Sequence, residues 1–477
     1  MIPFCKINFG LAAGEDEASC YPQLLENGFF DDQEIVPQLL DGPKFLVLGY
    51  KGSGKSLIGE KVCQIANENY NWFCQIHKLG AFPFKQFAKI LPDRQVENNN
   101  QVVSWEGILL LSLLKTVSNN QRFINCLTPG EQTCLSKLRK AGLLPSEDLR
   151  QLVSEVISKR FKIGLSHILS AEESRTDDYI LCFSNLIEMV KGMLTKLEHE
   201  ERAFIVIDGL DEWLTLKNTQ SVVLSGLLHA TAQLNAYFLK HHNRIKVILL
   251  WRTDLFDEME DPNKNKIRQD SSIVLNWYHD PSAPEDCMLV KLANLRAKLV
   301  DSSITNIFTE FFPDSHGSET IVHFLLDRTR HTPRDFIQLL NDIQDAAGHT
   351  TGKLDFTTIK NGIRKYSQEY LFHEIQDELA KRFQSENVDV VWKALQRNRE
   401  AELNTERLLR DCERILDETE VIRILNALFT AGAIGNKVAK KNAQVRYIFS
   451  FRNRNDTYST EQTTIIHKGL HSAFSIN

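Results

Sequence analysis

Short apolar runs of strand length alternate with longer helical patterns over the first part of the chain. The runs, which are rich in β-branched and aromatic residues, cover 45–48, 72–76, 204–207, 245–251 and 273–277. A short, continuous apolar run is typical of a strand that is buried on both faces of a sheet. Because helical patterns separate the runs, the strands are expected to be parallel, with helices on both sides. The pattern therefore predicts an α/β fold with a three-layer core.

Helical patterns dominate the rest of the chain. Residues from about 80 to 200 are expected to form a helical insertion between the second and third strands, and 286–370 an entirely helical lid. Three amphipathic helical patterns follow, and then a turn at 437–441 and an alternating strand at 445–451. Three helices and a hairpin are the pattern of a winged helix. The predicted domains are a core at 1–285, a lid at 286–370 and a winged-helix domain at 371–477.

The first predicted strand leads directly into a glycine-rich octapeptide, Gly49-Tyr50-Lys51-Gly52-Ser53-Gly54-Lys55-Ser56, which a helical pattern follows. A strand, then G-x-x-x-x-G-K-S, then a helix is the phosphate-binding P-loop of nucleoside triphosphatases. Glycines let backbone N–H groups turn toward a phosphate, and the helix directs its positive end at the same anion. A loop that merely turned the chain would not need the Lys-Ser ending. The predicted phosphate-binding residues are Gly49, Lys51, Gly52, Ser53, Gly54, Lys55 and Ser56.

Two side chains of this motif have specific expected roles. Lys55 is expected to bind the β- and γ-phosphates during hydrolysis, and the Ser56 hydroxyl to ligate Mg²⁺. The cofactors are therefore expected to be a nucleoside triphosphate and Mg²⁺. A guanine-specifying N-K-x-D string is not found, since Asn263-Lys264-Asn265-Lys266 lacks the aspartate, and this favours ATP over GTP.

Carboxylates follow the strand predicted at 204–207, in the string Asp208-Gly209-Leu210-Asp211-Glu212. The carboxyl end of a core strand is where the Mg²⁺ shell of a P-loop enzyme would meet them. Asp208 is the predicted metal residue, acting through a bound water. Asp211 is the favoured candidate for the base that polarises the attacking water, with Glu212 second. An ordinary acidic turn is the simpler alternative.

The strand predicted at 245–251 ends in Arg252, Thr253 and Asp254. A polar residue at this end, between the two nucleotide strands, is expected in P-loop NTPases of the additional-strand (ASCE) type. A guanidinium binds phosphate oxygens bidentately, so Arg252 is predicted to act on the γ-phosphate during catalysis. Alternatively, Arg252 ends the strand and pairs with Asp254 or Asp257.

A helix is predicted to begin at Pro333. Thr332 is its expected N-cap, and Pro333 occupies the first helical position. The apolar stripe comprises Phe336, Ile337, Leu340 and Ile343. Arg334, in the first turn, opposes the helix dipole, which is easier to understand if it faces a phosphate. We therefore predict a nucleotide-sensing lid arginine; a surface arginine paired with an acidic neighbour is the alternative.

The charge balance excludes attraction of the whole chain to nucleic acid, because 56 basic and 62 acidic residues give a net charge of −6. Residues 436–454 are an exception, with six basic residues and no acidic one. The candidate nucleic-acid contacts are Lys437, Lys440, Lys441 and Arg446. Because 371–477 holds 16 basic and 15 acidic residues, a solvated wing or a protein contact is an equal alternative.

Localisation is predicted from what the sequence lacks. No apolar run approaches the roughly 20 residues of a membrane span, and the N-terminus has no signal-peptide pattern. The nine cysteines include no C-x-x-C pair. We therefore expect a cytoplasmic protein without a membrane contact, with reduced cysteines and no structural zinc.

The chain resembles a bacterial family of P-loop ATPases with the motif Gly-x-Lys-Gly-Ser-Gly-Lys-Ser and a C-terminal winged helix. The resemblance rests on 49–56, 208–212, 252–254, 333–335 and 466–470. This family is similar to the STAND ATPases, with a NACHT-like acidic string, and to initiator-type AAA+ ATPases. In the AAA+ pattern the base follows the first aspartate directly, whereas here Gly209 has that position. The resemblance implies ATP-dependent switching or assembly, often in conflict systems such as defence against phage.

Two functions are therefore expected as alternatives. The first is a Mg²⁺-dependent ATP hydrolase that acts as a switch, controlling its own oligomerisation or a separate effector protein. The second is an ATP-gated DNA-binding protein, similar to an initiator or loader, that acts through the winged helix. A ring or filament would need an arginine in trans, for which Arg268 and Arg330 are candidates. A pure scaffold is a third possibility, and it requires Lys55→Ala to be silent.

Overall fold

The protein is described here by a computed structural model. The structure describes residues 2–80, 82–88, 90, 98–144, 149–157, 176–210, 218–278, 286–397, 399–439, 445–453 and 455–476. The chain forms two compact units. The sheet unit comprises 33–51 and 55–275, and the C-terminal unit comprises 1–32, 52–54 and 276–477.

A parallel sheet of five strands forms the centre of the sheet unit. Its strands are β1 (Leu46–Gly49), β2 (Trp72–Lys78), β3 (Arg202–Asp208), β4 (Arg244–Arg252) and β5 (Ser272–Val274). Their order across the sheet is β2-β3-β4-β1-β5, and the four neighbouring pairs are all parallel. Strand β4 therefore separates the P-loop strand β1 from the acidic strand β3. This is the additional-strand arrangement of P-loop ATPases, so the predicted fold class is confirmed.

Helices complete the sheet unit, and the described residues of the predicted insertion between β2 and β3 are mainly helical. The helices are Ile35–Leu40, Lys55–Glu68, Phe84–Phe87, Asn98–Val117, Gln121–Cys126, Pro129–Lys140, Leu149–Ile157, Thr176–Leu194, Asn218–Lys240, Thr253–Glu258 and Lys264–Ser271. The insertion shares one hydrophobic core with the sheet, since Trp105 and Leu109 belong to the same buried cluster as Ile205 and Leu249. Trp105 also donates its indole N–H to the Val223 carbonyl at 2.8 Å. The insertion is thus part of the helical layer on the sheet.

Among the described residues, one helical stretch, Gln220–Lys240, has the length and apolar composition of a membrane span. Its residues Leu227, Leu234 and Phe238 are fully buried in the core of the sheet unit. An apolar helix that packs on a sheet satisfies the same criteria of length and composition. We therefore assign Gln220–Lys240 to the core of this unit.

The C-terminal unit is mainly helical. Its helices are Gly14–Cys20, Pro22–Asn27, Met288–Val300, Ile307–Phe311, Ile321–Leu326, Pro333–Ala347, Phe356–Lys365, Phe372–Ala380, Ser385–Arg397, Thr405–Glu413 and Glu418–Thr430. Shorter helical turns cover Phe4–Lys6, Tyr366–Leu371 and Lys468–Leu470. A buried ion pair attaches the first residues to the lid: Arg296 donates to both carboxylate oxygens of Glu17 and to the Phe9 carbonyl.

Small antiparallel sheets complete the C-terminal unit. Strands β6 (Ser315–His316) and β7 (Glu319–Thr320) pair with each other, and β8 (Glu402–Leu403), β9 (Ile434–Ala439), β10 (Val445–Ile448) and β11 (Thr463–Ile466) form a sheet in the order β10-β9-β11-β8. The last three long helices followed by the hairpin β9–β10 have the winged-helix pattern.

Two local expectations for this unit are wrong. The stretch 286–370 is not entirely helical, because it contains β6 and β7. Lys437 lies within β9 rather than in a turn, because β9 pairs with both β10 and β11 there.

The expectation of fully reduced cysteines is also wrong for one pair. Cys63 and Cys74 form a disulfide within the sheet unit, and their Cα atoms are 5.2 Å apart. The other cysteines whose side chains the structure describes are thiols: Cys5, Cys20, Cys126, Cys134, Cys287 and Cys412.

Candidate nucleotide-binding site

The buried strand β1 delivers the P-loop to the carboxyl edge of the sheet. Gly49, its last residue, is aligned with Arg252, the last residue of β4. Lys55 begins the helix Lys55–Glu68, which we call the P-loop helix, and its ammonium donates to the carbonyls of Gly49 and Tyr50, at 3.1 Å each. Ser56 is the second residue of that helix. Within the sheet unit, the predicted phosphate-binding lysine thus lies against the first residues of its own loop.

The tip of the loop, 52–54, belongs to the C-terminal unit. Gly52 and Gly54 have φ angles of +78° and +92°, a region that favours glycine. Ser53 is 3% exposed, and its buried hydroxyl has no hydrogen-bond partner in the described part of the chain. Orphaned buried hydroxyls are rare and call for a partner. The tip therefore fits a ligand that accepts or donates a hydrogen bond at Ser53.

Asp208 is the last residue of the acidic strand β3, where the sequence predicted the metal residue. Its carboxylate is buried and accepts the Gly209 backbone N–H at 2.8 Å. Gly209 has φ of +78°, and a Cβ there would lie 3.2 Å from the Leu79 nitrogen. A side chain at 209 would thus be strained and crowded, which explains why a base cannot follow Asp208 directly. The candidate bases, Asp211 and Glu212, lie outside the described residues.

Arg252 lies where the sequence placed it, at the carboxyl end of β4. It is 2% exposed and donates through Nε and Nη2 to both oxygens of Asp254, at 2.9 and 2.6 Å. The pairing alternative is therefore present in this structure. Asp257 pairs instead with Arg268, at 2.7 Å. The contact of Arg252 with a γ-phosphate stays a prediction.

The helix Pro333–Ala347, which we call the lid helix, begins as the sequence predicts. The Thr332 hydroxyl accepts the Asp335 N–H at 3.2 Å, and Pro333 is the first helical residue. All four residues of the predicted apolar stripe are buried. These features are local, which is why the sequence alone located the helix.

Arg334 touches the loop tip within the C-terminal unit. Its backbone N–H donates to the Gly52 carbonyl at 3.3 Å, and a Cβ on Gly52 would lie 3.0 Å from the Arg334 Cβ. The guanidinium donates to the Ala12 carbonyl at 2.8 Å and to Glu374 at 3.2 Å. Arg334 thus has both features that the sequence left as alternatives, a place at the phosphate loop and an acidic partner.

A buried ion pair at the start of the lid helix escaped sequence reasoning. Arg330 donates through Nε and Nη2 to both oxygens of Asp335, at 2.7 and 2.8 Å, and the Tyr370 hydroxyl donates to Asp335 at 3.0 Å. Asp335 is fully buried, yet Arg330 holds the pKa of its carboxyl below the usual value against the opposing effect of burial. In this chain Arg330 is thus buried and paired, and its action in trans stays a prediction. The sequence offered one signal of this buried pair, which is that Asp335 directly precedes the apolar Phe336 and Ile337.

Trp277 is a second residue that the sequence did not single out. Its indole N–H donates to the Ser53 carbonyl at 2.9 Å, within the C-terminal unit. The sequence assigned Trp277 to the fifth strand, but β5 ends at Val274, which leaves Trp277 in the following loop. A large aromatic residue just after a core strand was the only local signal.

The described cations of the predicted basic hairpin have acidic partners. Lys437 pairs with Glu402 at 2.6 Å, and Arg446 pairs with Asp456 at 3.4 Å. Lys440 and Lys441 lie outside the described residues. The hairpin is thus less strongly basic at Lys437 and Arg446 than its sequence suggested.

Comparisons with known proteins found one matching family model and similar solved structures. Residues 288–374 match the family model described as the FunZ-associated C-terminal helical domain. No curated protein matched the sequence. Among solved structures, the chain is similar to the Orc1 protein of Aeropyrum pernix in complex with DNA, with 10% identity, 96% of this chain and 95% of that chain covered, and a TM-score of 0.42. It is also similar to Cdc6p from Pyrobaculum aerophilum, with 12% identity, coverage of 95% and 92%, and a TM-score of 0.31.

Proposed function

We propose that this protein is a Mg²⁺-dependent ATPase that works as a molecular switch. One observation carries the proposal: the first turn of the lid helix donates the Arg334 N–H to the Gly52 carbonyl at the tip of the phosphate loop. A phosphate that reshapes the loop tip would therefore act directly on the lid helix. Such a contact suits a protein whose lid responds to the bound nucleotide.

The side chains at the site fit Mg²⁺ and ATP. Lys55 would exchange its two carbonyl acceptors for phosphate oxygens, and the orphaned Ser53 hydroxyl would gain a partner. Ser56 and Asp208 would hold the ion, and Asp211 or Glu212 would orient the attacking water. When bound, Mg²⁺ supplies neutralisation of the charge that develops on the β- and γ-oxygens.

Both arginines of the proposed site are held by carboxylates. Arg252 pairs with Asp254 and Arg334 with Glu374. A phosphate can replace a carboxylate as the partner of a guanidinium without leaving that cation unpaired. We propose that nucleotide phosphate competes with Asp254 for Arg252 and, separately, with Glu374 for Arg334, which would make each pairing depend on the nucleotide.

The finer proposal is that the switch is of the STAND type. It would be a cytoplasmic protein, and the state of its nucleotide would control oligomerisation or a separate effector in defence against phage. The NACHT-like string at 208–212 and the tail at 466–470 support this resemblance. Mass measurement with ADP, ATP and a non-hydrolysable analogue tests assembly, and plaque counts on cells carrying wild type or Lys55→Ala test defence.

Steady-state phosphate release tests the ATPase itself. Lys55→Ala should lower turnover by about 100-fold or more, as expected for the loss of a cation that stabilises the transition state. Lys61→Ala, on the same helix, is the matched control and should stay within about twofold, since Lys61 lies outside the motif. Asp211→Ala combined with Glu212→Ala should also abolish turnover. Unchanged turnover in Lys55→Ala would refute the proposal.

DNA binding through the winged helix is the second candidate function. Arg446 favours it, because its side chain is 51% exposed on β10 and its ion pair with Asp456 is long, at 3.4 Å. An exposed pair of this kind costs little to exchange for a phosphate. Arg446→Ala should lower the dependence of duplex binding on salt by about one counterion, whereas Arg423→Ala, an exposed helical control, should not. No retention of DNA at low salt would exclude this function.

A further inference from the structure

The disulfide Cys63–Cys74 joins the P-loop helix to β2. Both cysteines are half-buried and neither is enclosed in the core of the sheet unit. Cytoplasmic disulfides are usually transient, catalytic or redox-sensing. A bond of this kind in a protein proposed to be cytoplasmic therefore asks for a role.

The bond continues a row of close contacts between the P-loop helix and the sheet. Gly59, one turn before Cys63 and on the same face of the helix, lies so close to the sheet that a Cβ there would be 3.0 Å from Leu250 and 3.1 Å from Val206. The same Cβ would lie 3.9 Å from Ile76, which shares a face of β2 with Cys74. The disulfide thus fixes the helix to β2 where the two already meet.

Both ends of the bond lie on elements of the proposed nucleotide site. Cys63 follows Ser56 by about two helical turns. Cys74 precedes Lys78 on β2, and Lys78 is aligned with Asp208 on β3. A change in how the helix packs on β2 would therefore alter the support of Lys55 and Ser56 on one side and of the acidic strand on the other.

We propose that Cys63 and Cys74 are a reversible redox site at which a glutathione-type disulfide is the oxidant, and that the oxidised form binds ATP more tightly. The second part of this proposal rests on the proposed function. Crosslinking would hold the P-loop helix in the geometry that binding needs, so less ordering would remain to oppose binding.

The exchange proceeds in two balanced steps. One cysteine thiolate attacks oxidised glutathione, which forms a mixed disulfide and releases one glutathione thiolate. The thiolate of the protein's second cysteine then attacks the sulfur of its first cysteine in the mixed disulfide and releases the second glutathione as a thiolate. The two cysteines lose two electrons and two protons overall, and oxidised glutathione becomes two reduced molecules.

The test uses the full chain, equilibrated in reduced or oxidised glutathione. Alkylation and peptide mass should show a Cys63–Cys74 crosslink that forms in the oxidised buffer and disappears in the reduced one. The oxidised protein should have the higher unfolding temperature and a Kd for ATP roughly three- to tenfold lower. Cys126→Ser, which removes an exposed thiol elsewhere, should behave like wild type. In Cys63→Ser and Cys74→Ser, oxidation should change neither the unfolding temperature nor the Kd for ATP.

Each contrary result has a distinct meaning. A pair that stays reduced, or that forms only mixed disulfides, overturns the redox site, and wild type alone decides this even where a serine variant fails to fold. A crosslink that leaves the Kd for ATP unchanged overturns the control of binding. If neither form binds ATP, the proposed function fails and takes the control of binding with it, while the crosslink map and the unfolding temperature still decide the redox site.

Discussion

At the scale of single residues, two glycines with left-handed backbone angles each lie next to predicted site residues of their own unit. Gly52 has φ of +78° where the lid helix touches the loop, and Gly209 has the same φ directly after Asp208. An L-residue at such an angle costs about 1–3 kcal/mol. At Gly209 the backbone of Leu79 and Gly80 also fills the space that a Cβ would need. An acidic side chain therefore cannot follow Asp208 directly, and the next one in the sequence is Asp211.

Gly52→Ala should weaken ATP binding without unfolding the protein. The new methyl group would adopt an unfavourable φ and lie 3.0 Å from the Arg334 Cβ and 3.3 Å from the Thr332 hydroxyl. We expect the free variant to relieve this strain by leaving the loop geometry that binding needs, so that restoring this geometry costs about 1–2 kcal/mol and raises the Kd for ATP about tenfold. Gly192→Ala is the control, because nothing lies within 4 Å of a Cβ there. Equal affinities in the two variants would show that the loop tip does not depend on Gly52.

The site residues that the sequence identified are those with a local motif. Lys55 and Ser56 follow from spacing within one strand, loop and helix, and Asp208 follows from a separate apolar run that ends in a carboxylate. The structure places all three on the predicted edge, Lys55 and Ser56 at the start of the helix after β1 and Asp208 at the end of β3. The sequence left open whether Arg252 and Arg334 pair with carboxylates. Asp254 could be named as a partner because it is near Arg252 in sequence, whereas Glu374 lies forty residues beyond Arg334. Trp277 had no motif at all, since its bond to Ser53 spans more than two hundred residues.

At the scale of elements, the start of the lid helix combines contacts to the loop tip and to the turn that follows the helix Glu418–Thr430. Arg334 donates to Gly52, and Arg330, four residues earlier, donates to the Ala431 carbonyl at 3.4 Å. A Cβ on Gly432 would lie 3.2 Å from Arg330. Asp335 holds Arg330 in place, and Tyr370 adds a hydrogen bond from the helical turn Tyr366–Leu371. The ion pair thus positions the helix turn that carries Arg334.

Asp335→Asn should destabilise the lid helix strongly. The substitution would leave the Arg330 guanidinium buried without a countercharge, which costs about 3–5 kcal/mol. Hydrogen exchange in peptides covering 333–347 should become faster by a corresponding factor. Asp345→Asn is the control, because Asp345 lies on the lid helix too but pairs at an exposed position with Lys365 of the following helix. It should change the rate of hydrogen exchange little. Similar exchange in both variants would contradict a structural role for the buried pair.

Elements with local signals were predicted and elements defined by distant partners were not. The lid helix has a cap, a proline and an apolar stripe within about one dozen residues, and the five core strands contain short, mostly apolar runs. Strand β8 has two residues, and it exists because Leu403 and Glu402 pair with β11, about sixty residues away. Its own sequence has no strand pattern, so only the fold defines it.

At the scale of the whole molecule, the described histidines with strongly lowered pKa values lie in the C-terminal unit. Burial lowers the pKa of His331 to about 4 and that of His467 to about 3. His331 also has φ of +51°, and its ring nitrogens have no hydrogen-bond partner in the described part of the chain. In the described part of the sheet unit a lysine has a strongly shifted pKa, since burial lowers the pKa of Lys246 to about 8. Mild acid should therefore act first on the C-terminal unit.

His331→Asn should reduce the loss of stability in acid. The pKa of His331 is lower in the folded than in the unfolded chain, so its contribution to stability is complete above pH 6.5 and is lost as the pH falls toward 4. Between pH 7.5 and 5 this amounts to about 2 kcal/mol. Asparagine tolerates the positive φ and does not titrate. Hydrogen exchange of the C-terminal unit at both pH values should show a smaller difference in His331→Asn than in wild type or in His199→Asn, an exposed control. An unchanged difference would mean that other groups, such as His467, carry the acid response.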